Sequence, residues 1–251
     1  MSKIAFVTGG SRGLGKDMAL RIAEKGLDVV LTYKSNKEEA AKVVEAIESK
    51  GQQAFAIQLD TSKTDSFDTI IAEIKSILKE KRGQATIDFL VNNAGIGLGN
   101  PITETTEEQF DTLSDIHLKG VFFLTQKLIP ILNTGGGIIN VSSGLARFSM
   151  PGYAAYAMMK GGIEVFSRYL AKELGSKGIR ANTIAPGAIE TDFGGGAVRD
   201  QEPYNQAVAS VTSLGRAGLP EDIGGVVAFL CTEDARWINA QRIEISGGMN
   251  I

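Results

Sequence analysis

Tyr156 and Lys160 stand four residues apart, with Ser143 thirteen residues upstream of the tyrosine. On a helix, positions i and i+4 lie one above the other on one face. An ammonium beside a phenol favours the phenolate, which turns a weak acid into a usable proton donor or acceptor near neutral pH. Spacing alone does not establish this chemistry. Tyr33-Lys34-Ser35-Asn36-Lys37 repeats the pattern. There Tyr33 ends a candidate strand, so that pair shares no helix face. A core tyrosine with a surface lysine is the alternative for Tyr156 and Lys160, and Ser142 competes with Ser143 for the serine's task.

Elements that would position these side chains can be read from apolar periodicity. Short β-branched runs fall at Lys3–Thr8, Asp28–Tyr33, Gln53–Gln58, Ile87–Val91, Gly137–Ser142, Ile179–Ala185 and Arg242–Ile245. A helix-competent segment follows each of the first six. Such alternation predicts right-handed βαβ units and a parallel sheet. Over Asn36–Lys50, Ala40, Val43, Val44 and Ile47 share one face, and Lys37, Glu38, Lys42, Glu45 and Glu48 lie mostly on the other. Gly26, Gly51, Gly83 and Gly178 sit where left-handed helix caps belong. Longer helices are expected around Thr106–Leu132 and Ala154–Ser176. Thr191–Ser213 is the least regular stretch, with Gly194-Gly195-Gly196, a charged run and Pro203; it reads as a mobile lid or as an ordinary surface excursion. No linker divides residues 1–251, so the expectation is one α/β domain.

The chain has 251 residues, 43% of them hydrophobic, and a formal charge of −3. No basic footprint points to nucleic acid or to an anionic membrane. Cys231 is the sole cysteine and His117 the sole histidine. That pair excludes an internal disulfide and argues against a zinc site. There is no signal peptide and no apolar run long enough to span a bilayer, which predicts a cytoplasmic protein without a membrane partner.

Thr8-Gly9-Gly10-Ser11-Arg12-Gly13-Leu14-Gly15 follows the first strand and opens the first helix. Gly9 suits the tight turn, Gly13 lets backbone approach a pyrophosphate, and Gly15 lets helix and sheet pack closely. The helix N-terminus then faces the anion. An NAD site would offer an acidic residue about 20 positions on, to accept from the ribose 2′-hydroxyl. Tyr33 stands there instead, beside Lys34. Arg12 and Lys34 suit a 2′-phosphate, so NADP(H) is favoured over NAD(H).

Taken together, these segments resemble the short-chain dehydrogenase/reductase family, single-domain branch, over essentially the whole chain. The turn from Thr8 to Gly15 is similar to the family's TGxxxGxG, with Ser11 and Leu14 in its variable positions. Asp60, with Thr61 beside it, falls where the family contacts adenine. Asn92-Asn93-Ala94-Gly95 reproduces the NNAG signature at the fourth strand's end. Ser143, Tyr156 and Lys160 match the catalytic serine, tyrosine and lysine. Pro186-Gly187, with Ile189 and Thr191, resembles the segment that contacts the nicotinamide carboxamide. The resemblance implies a Rossmann fold, a doubly wound seven-stranded parallel sheet in the order 3-2-1-4-5-6-7.

It also implies hydride transfer between NADP(H) and a ketone or secondary alcohol. Tyr156 would donate the proton and Ser143 a hydrogen bond to the carbonyl oxygen. Lys160 would hold the nicotinamide ribose and lower the Tyr156 pKa. A 3-oxoacyl thioester is an alternative substrate, and a non-catalytic regulator or a lyase, epimerase or isomerase are weaker readings. Arg147, Arg168 and Arg199 are the cations available for an acyl-carrier surface. Leu145, Phe148, Met150, Tyr153, Ala188 and Phe193 suggest an apolar pocket. A homotetramer joined through the long helices is common in the family. One departure stands out: His117 occupies the place of the family's asparagine, whose carbonyl holds a relay water. Its imidazole either joins a proton relay or fills the asparagine's structural place.

Overall fold

Apolar runs become strands and the segments between them helices in the computed structural model, which describes residues 2–251. In chain order they are β1 (Ile4–Val7), α1 (Gly13–Glu24), β2 (Asp28–Tyr33), α2 (Lys37–Glu48), β3 (Ala54–Gln58), α3 (Phe67–Arg82) and β4 (Ile87–Asn92). Then come α4 (Glu107–Ser114), α5 (Gly120–Leu128), β5 (Leu132–Val141), α6 (Ala154–Leu174), β6 (Arg180–Pro186), α7 (Ala197–Asp200), α8 (Glu202–Ser210), α9 (Glu221–Leu230) and β7 (Arg242–Ile245). The seven strands form one sheet in the order β3-β2-β1-β4-β5-β6-β7, every pair parallel. The expected Rossmann topology is what the chain adopts. Order reverses between β1 and β4, and a crevice opens where the loops leaving those strands part.

Both sheet faces are covered, which is why the strands read as nearly continuous apolar runs. Val7, Val29, Leu31 and Val91 pack under α1, α2 and α9 through Met18, Ile22, Val43, Ile47, Ile223 and Val227. Phe6, Val30, Leu90 and Ile138 pack against α3, α5 and α6 through Phe67, Ile74, Leu78, Leu124 and Leu170. Each such side chain contributes roughly 1.5–3 kcal/mol by leaving water. Gly26, Gly51, Gly83 and Gly178 all take positive φ, as helix-ending glycines should.

The long helix expected over Thr106–Leu132 is interrupted. Thr106 and Gln109 form a capping box at the start of α4, and Asp115–Lys119 forms a π-helical turn before α5. A Cβ on Gly120 would collide with the Thr61 carbonyl, so α5 passes the loop after β3 at backbone distance. Pro130 then ends the helix, and Leu132 already belongs to β5. The irregular Thr191–Ser213 stretch is partly helical and largely exposed. Gly194, Gly195 and Gly196 turn the chain with φ of 63°, 76° and 78°, and α7 and α8 follow. Pro203 sits in the first turn of α8, where its missing N–H costs nothing.

Candidate active site

A cleft of about 1360 Å3 crosses the carboxyl ends of the central strands. Its first wall is the glycine turn, with φ of 65° at Gly9 and 52° at Gly13. A Cβ on Gly15 would run into the Gly9 carbonyl, so α1 begins hard against the turn. The α1 N-cap, Arg12, supplies no side-chain acceptor, which leaves the first N–H groups facing the cleft. Asn93 pins this turn to the end of β4: its Nδ2 donates to the Thr8 carbonyl at 2.9 Å, and Thr8 Oγ1 accepts from the Asn93 and Ala94 N–H groups, each at 2.9 Å. Ser11, Leu14, Ala94 and Gly95 line the same stretch.

Lys34, Ser35, Asn36, Asp60 and Thr61 line one end of the cleft. Lys34 Nζ lies 3.0 Å from Asp60 Oδ2, and Arg12 Nη1 lies 3.8 Å from Asp192 Oδ2 across the cleft mouth. Both cations are largely exposed. No carboxylate follows β2 among the lining residues. This set fits a dinucleotide carrying a 2′-phosphate: free N–H groups at α1 for the pyrophosphate, and two exposed cations for the extra phosphate.

At the other end stand the hydroxyls. Ser143 follows β5 and caps a short turn, accepting from the Leu145 N–H at 3.2 Å. It lines the same cleft as Tyr156. Ser142 is excluded from the serine's task, because its hydroxyl donates to Glu164 Oε1 at 2.7 Å. Tyr156 and Lys160 occupy the first turns of α6 and are 6% and 5% exposed. Lys160 Nζ donates to the Val141 carbonyl at 2.8 Å and lies 5.6 Å from the Tyr156 ring centre. Pro186, Gly187, Ile189 and Thr191 close the cleft from β6.

Burial governs the electrostatics. It pushes the Tyr156 phenol upward, and the Ser143 hydrogen bond only partly offsets it. The expected lowering of Tyr156 by Lys160 is not found; burial raises the phenol and separately brings Lys160 down to about 7. Near neutral pH the lysine is therefore only partly charged, and Tyr156 is held in its proton-carrying form.

Seventeen of the twenty residues expected at the site line the cleft; Tyr33, Asn92 and His117 do not. Tyr33 turns into the apolar layer under α1 and α2. Asn92 is buried and donates to Thr125 Oγ1 at 2.9 Å and to Asn140 Oδ1 at 2.8 Å. His117 lies behind Tyr156, 1% exposed, with the two ring centres 5.3 Å apart and edge-on. Its Nε2 stands 2.9 Å from the Ile96 carbonyl, and its Nδ1 has no partner among the described residues. Burial first, then the Lys160 charge, hold the imidazole down to about 3, so it stays neutral at working pH. A Cβ on Gly95 would come within 2.7 Å of His117 Cε1, so the glycine makes room for the ring.

The apolar pocket expected from Leu145, Phe148, Met150, Tyr153, Ala188 and Phe193 is present. Ile96, Leu98, Tyr204 and Met249 complete it. Local sequence carries no signal for Tyr204 or Met249, which reach the cleft only through the packing of α8 and of the C-terminal segment. Arg147 and Arg199 are engaged by carboxylates: Arg147 grips Glu244, and Arg199 pairs with Asp192 and Asp200.

Fold and cleft define an oxidoreductase of the dinucleotide-binding α/β class. The chain belongs to the short-chain dehydrogenase/reductase family: residues 9–250 match the family model described as "Enoyl-(Acyl carrier protein) reductase". It is 39% identical to the 3-oxoacyl-[acyl-carrier-protein] reductase FabG of Staphylococcus aureus, over 99% of this chain and 98% of that protein. Among solved structures it resembles the angucycline C-6 ketoreductase LanV with bound NADP, at 35% identity and a TM-score of 0.94 over 99% of this chain and 95% of the other. The promiscuous reductase LugOII, which catalyses keto-reduction at C1 during lugdunomycin biosynthesis, is 36% identical with a TM-score of 0.93, over 98% of this chain and 96% of its own.

Proposed function

We propose that this chain reduces a ketone to a secondary alcohol with NADP(H), Tyr156 giving the proton. The observation that carries the reading is that the hydroxyls of Ser143 and Tyr156 line one cleft together with buried Lys160. NADP(H), when bound, supplies or removes the hydride at the substrate carbon. Gly9, Ser11, Gly13, Leu14, Ala94 and Gly95 would hold its pyrophosphate and ribose; Arg12 and Lys34 would hold a 2′-phosphate; Pro186, Gly187, Ile189 and Thr191 would flank the nicotinamide. The bound NADP in LanV supports the phosphorylated cofactor. As the carbonyl oxygen gains negative charge, Ser143 donates a hydrogen bond to it and Tyr156 transfers its proton. Lys160 would hold the ribose hydroxyls. His117, neutral and held by Ile96, fixes the edge of the Tyr156 ring and exchanges no proton.

Substrate class follows from the walls. Tyr153, Phe148, Phe193, Tyr204 and Met150 enclose the substrate end, and Lys160 is the only cation lining it among the described residues. A neutral aryl or polycyclic ketone suits that surface, as the keto-reductions named for LanV and LugOII suggest. A 3-oxoacyl thioester is the second reading, favoured by the Staphylococcus aureus relative. Following NADPH and NADH consumption with a bicyclic aryl ketone, a diketone, a keto ester and a 3-oxoacyl thioester decides between them. Faster turnover of the aryl ketone with NADPH is expected. A preference for the thioester would replace the first reading with the second, and no turnover of any carbonyl would reject both.

Four copies joined through α5 and α6 complete the proposal. Phe122, Phe123, Met158 and Tyr169 are 44%, 40%, 63% and 64% exposed on those helices, more apolar surface than a free helix pair shows to water. Sedimentation at four times the 26.7 kDa chain mass is expected, and a monomer would refute it.

A further inference from the structure

We propose that Arg242 and Glu164 are positioning residues for the Ser143–Tyr156 pair, fixing the end of β5 against α6. The proposal rests on the reading that these two hydroxyls act on a carbonyl. Arg242 opens β7, and its guanidinium reaches three partners. Nε donates to Glu164 Oε1 at 2.7 Å, Nη1 to Glu244 Oε2 at 2.8 Å, and Nη2 to the Ser143 carbonyl at 3.2 Å. Glu164 Oε1 also accepts from Ser142 Oγ at 2.7 Å. One guanidinium and one carboxylate thus hold both serines that follow β5.

Glu164 lies four residues after Lys160, on the same face of α6. Lys160 Nζ donates to the Val141 carbonyl. Val141, Ser142 and Ser143 are therefore each tied to α6: the first through Lys160, the second through Glu164, the third through Arg242 held by Glu164. Tyr156 projects from the same helix one turn before Lys160. The distance between the Ser143 and Tyr156 hydroxyls is set by these three ties rather than by any direct covalent neighbour.

The cluster extends on its far side. Glu244 accepts from Arg147 Nε and Nη2, each at 2.7 Å, and Arg147 Nη2 donates to the Met249 carbonyl at 2.8 Å. Met249 lines the cleft. Two guanidinium groups thus meet two carboxylates, Glu164 and Glu244, with no net charge. Arg147 holds the Glu244 carboxyl down to about 2, against the opposing effect of burial. A neutral cluster with that carboxylate fixed exerts little field on Tyr156, so its effect is geometric. Displacing a reacting group by about 1 Å can cost on the order of a hundredfold in rate.

The test compares Arg242→Met, Arg242→Lys and Glu164→Gln with Asp68→Asn, which breaks the exposed Asp68–Lys127 pair as a control. Three quantities are read: amide hydrogen exchange over residues 141–148, NADPH affinity by fluorescence, and kcat with KM for the best ketone. Arg242→Met should speed exchange over 141–148 and lower kcat on the order of tenfold at unchanged NADPH affinity. Arg242→Lys should recover part of both, and Asp68→Asn should change neither. Unaltered exchange over 141–148 overturns the proposal. So does a fall in kcat matched by an equal loss of NADPH affinity that Arg242→Lys fails to rescue. If Arg242→Met does not fold, Glu164→Gln, which keeps the side-chain volume, is held to the same expectations. If wild-type protein reduces no carbonyl, the functional reading fails by itself, and the exchange measurement still decides whether Arg242 and Glu164 hold Ser143.

Discussion

Two copies of Tyr-x-x-x-Lys meet opposite fates in this molecule. Tyr33 ends β2 with its ring in the apolar layer beneath α1 and α2, while Lys37 begins α2 and is exposed. Tyr156 and Lys160 share one helix, are both buried, and both line the cleft. A four-residue spacing means proximity only when one helix carries both residues. Across a strand end and a helix start it places the two side chains in unrelated surroundings. Burial then raises Tyr156 and lowers Lys160, shifts that an exposed lysine does not undergo. A shared helical phase inside a dry crevice makes the pair chemical.

The largest expected effect separates the copies outright. Tyr156→Phe removes the proton donor and should lower kcat on the order of a thousandfold, with NADPH affinity retained. Tyr33→Phe removes only a hydroxyl from a packed ring and should cost about 1 kcal/mol of stability at most, with kcat unchanged. Steady-state kinetics and thermal melts check both. A Tyr156→Phe enzyme with near-normal turnover would erase the distinction.

Lys160 gives the next largest effect. Lys160→Met should lower kcat on the order of a hundredfold by removing a donor that holds the reacting groups. In the wild type the ammonium is present below about 7 and lost above it. Ketone reduction should therefore slow as pH rises through about 7, and Lys160→Arg, which keeps its charge, should lose that limb. Stability runs the other way. An unfolded lysine titrates near about 10.4, while the folded one titrates at about 7. In that window the unfolded chain binds the additional proton, so wild-type stability rises with pH across it. Lys160→Met should melt higher at neutral pH and lack the slope.

The same contrast explains how much could be read in advance. The parallel sheet and the glycine turn are legible because they rest on local requirements: alternation of apolar runs with helical segments, positive φ at Gly9 and Gly13, and room at Gly15. The strand order comes only with the family resemblance, and helical phase alone places Tyr156 beside Lys160. Tyr33 was misplaced because alternation along a strand of six buried residues gives no clue to which face a terminal ring takes. The π-helical turn before α5 leaves no local pattern, and the close approach of Gly120 to the Thr61 carbonyl beside it joins residues far apart in the chain. Arg242, Glu164 and Tyr204 carry no motif at all. Their places depend on packing between β7, α6 and α8, which no local pattern encodes.

Beside the first copy, Lys34 offers a smaller and sharper test. With Arg12 it forms the cationic end of the cleft, and both side chains are exposed and free to leave Asp60 and Asp192 for a phosphate. Losing one such charged hydrogen bond costs about 1.5–3 kcal/mol. Arg12→Ala and Lys34→Ala should each raise KM for NADPH on the order of tenfold and leave KM for NADH nearly unchanged. Equal losses for the two cofactors would detach these cations from the 2′-phosphate and leave the first Tyr-x-x-x-Lys copy without a link to the site.

His117 supplies the smallest change in rate and the finest distinction. It is what backs Tyr156 and has no counterpart behind Tyr33. Burial, then the Lys160 charge, hold its imidazole at about 3, against the Ile96 backbone bond that favours protonation. The unfolded chain takes that proton near about 6.5. Between those values the unfolded state binds more protons, so stability falls as pH drops from about 6.5 toward about 3. Each unit of the gap is worth about 1.4 kcal/mol. His117→Asn removes the ionisable group, so its acid unfolding midpoint should move to lower pH. An asparagine amide can still bond the Ile96 backbone, and kcat should stay within about tenfold of wild type with the same pH profile. A profile that loses a limb near neutrality would make the imidazole a proton carrier. An unmoved acid midpoint would mean that the ring is protonated in the folded protein and that burial does not set its charge.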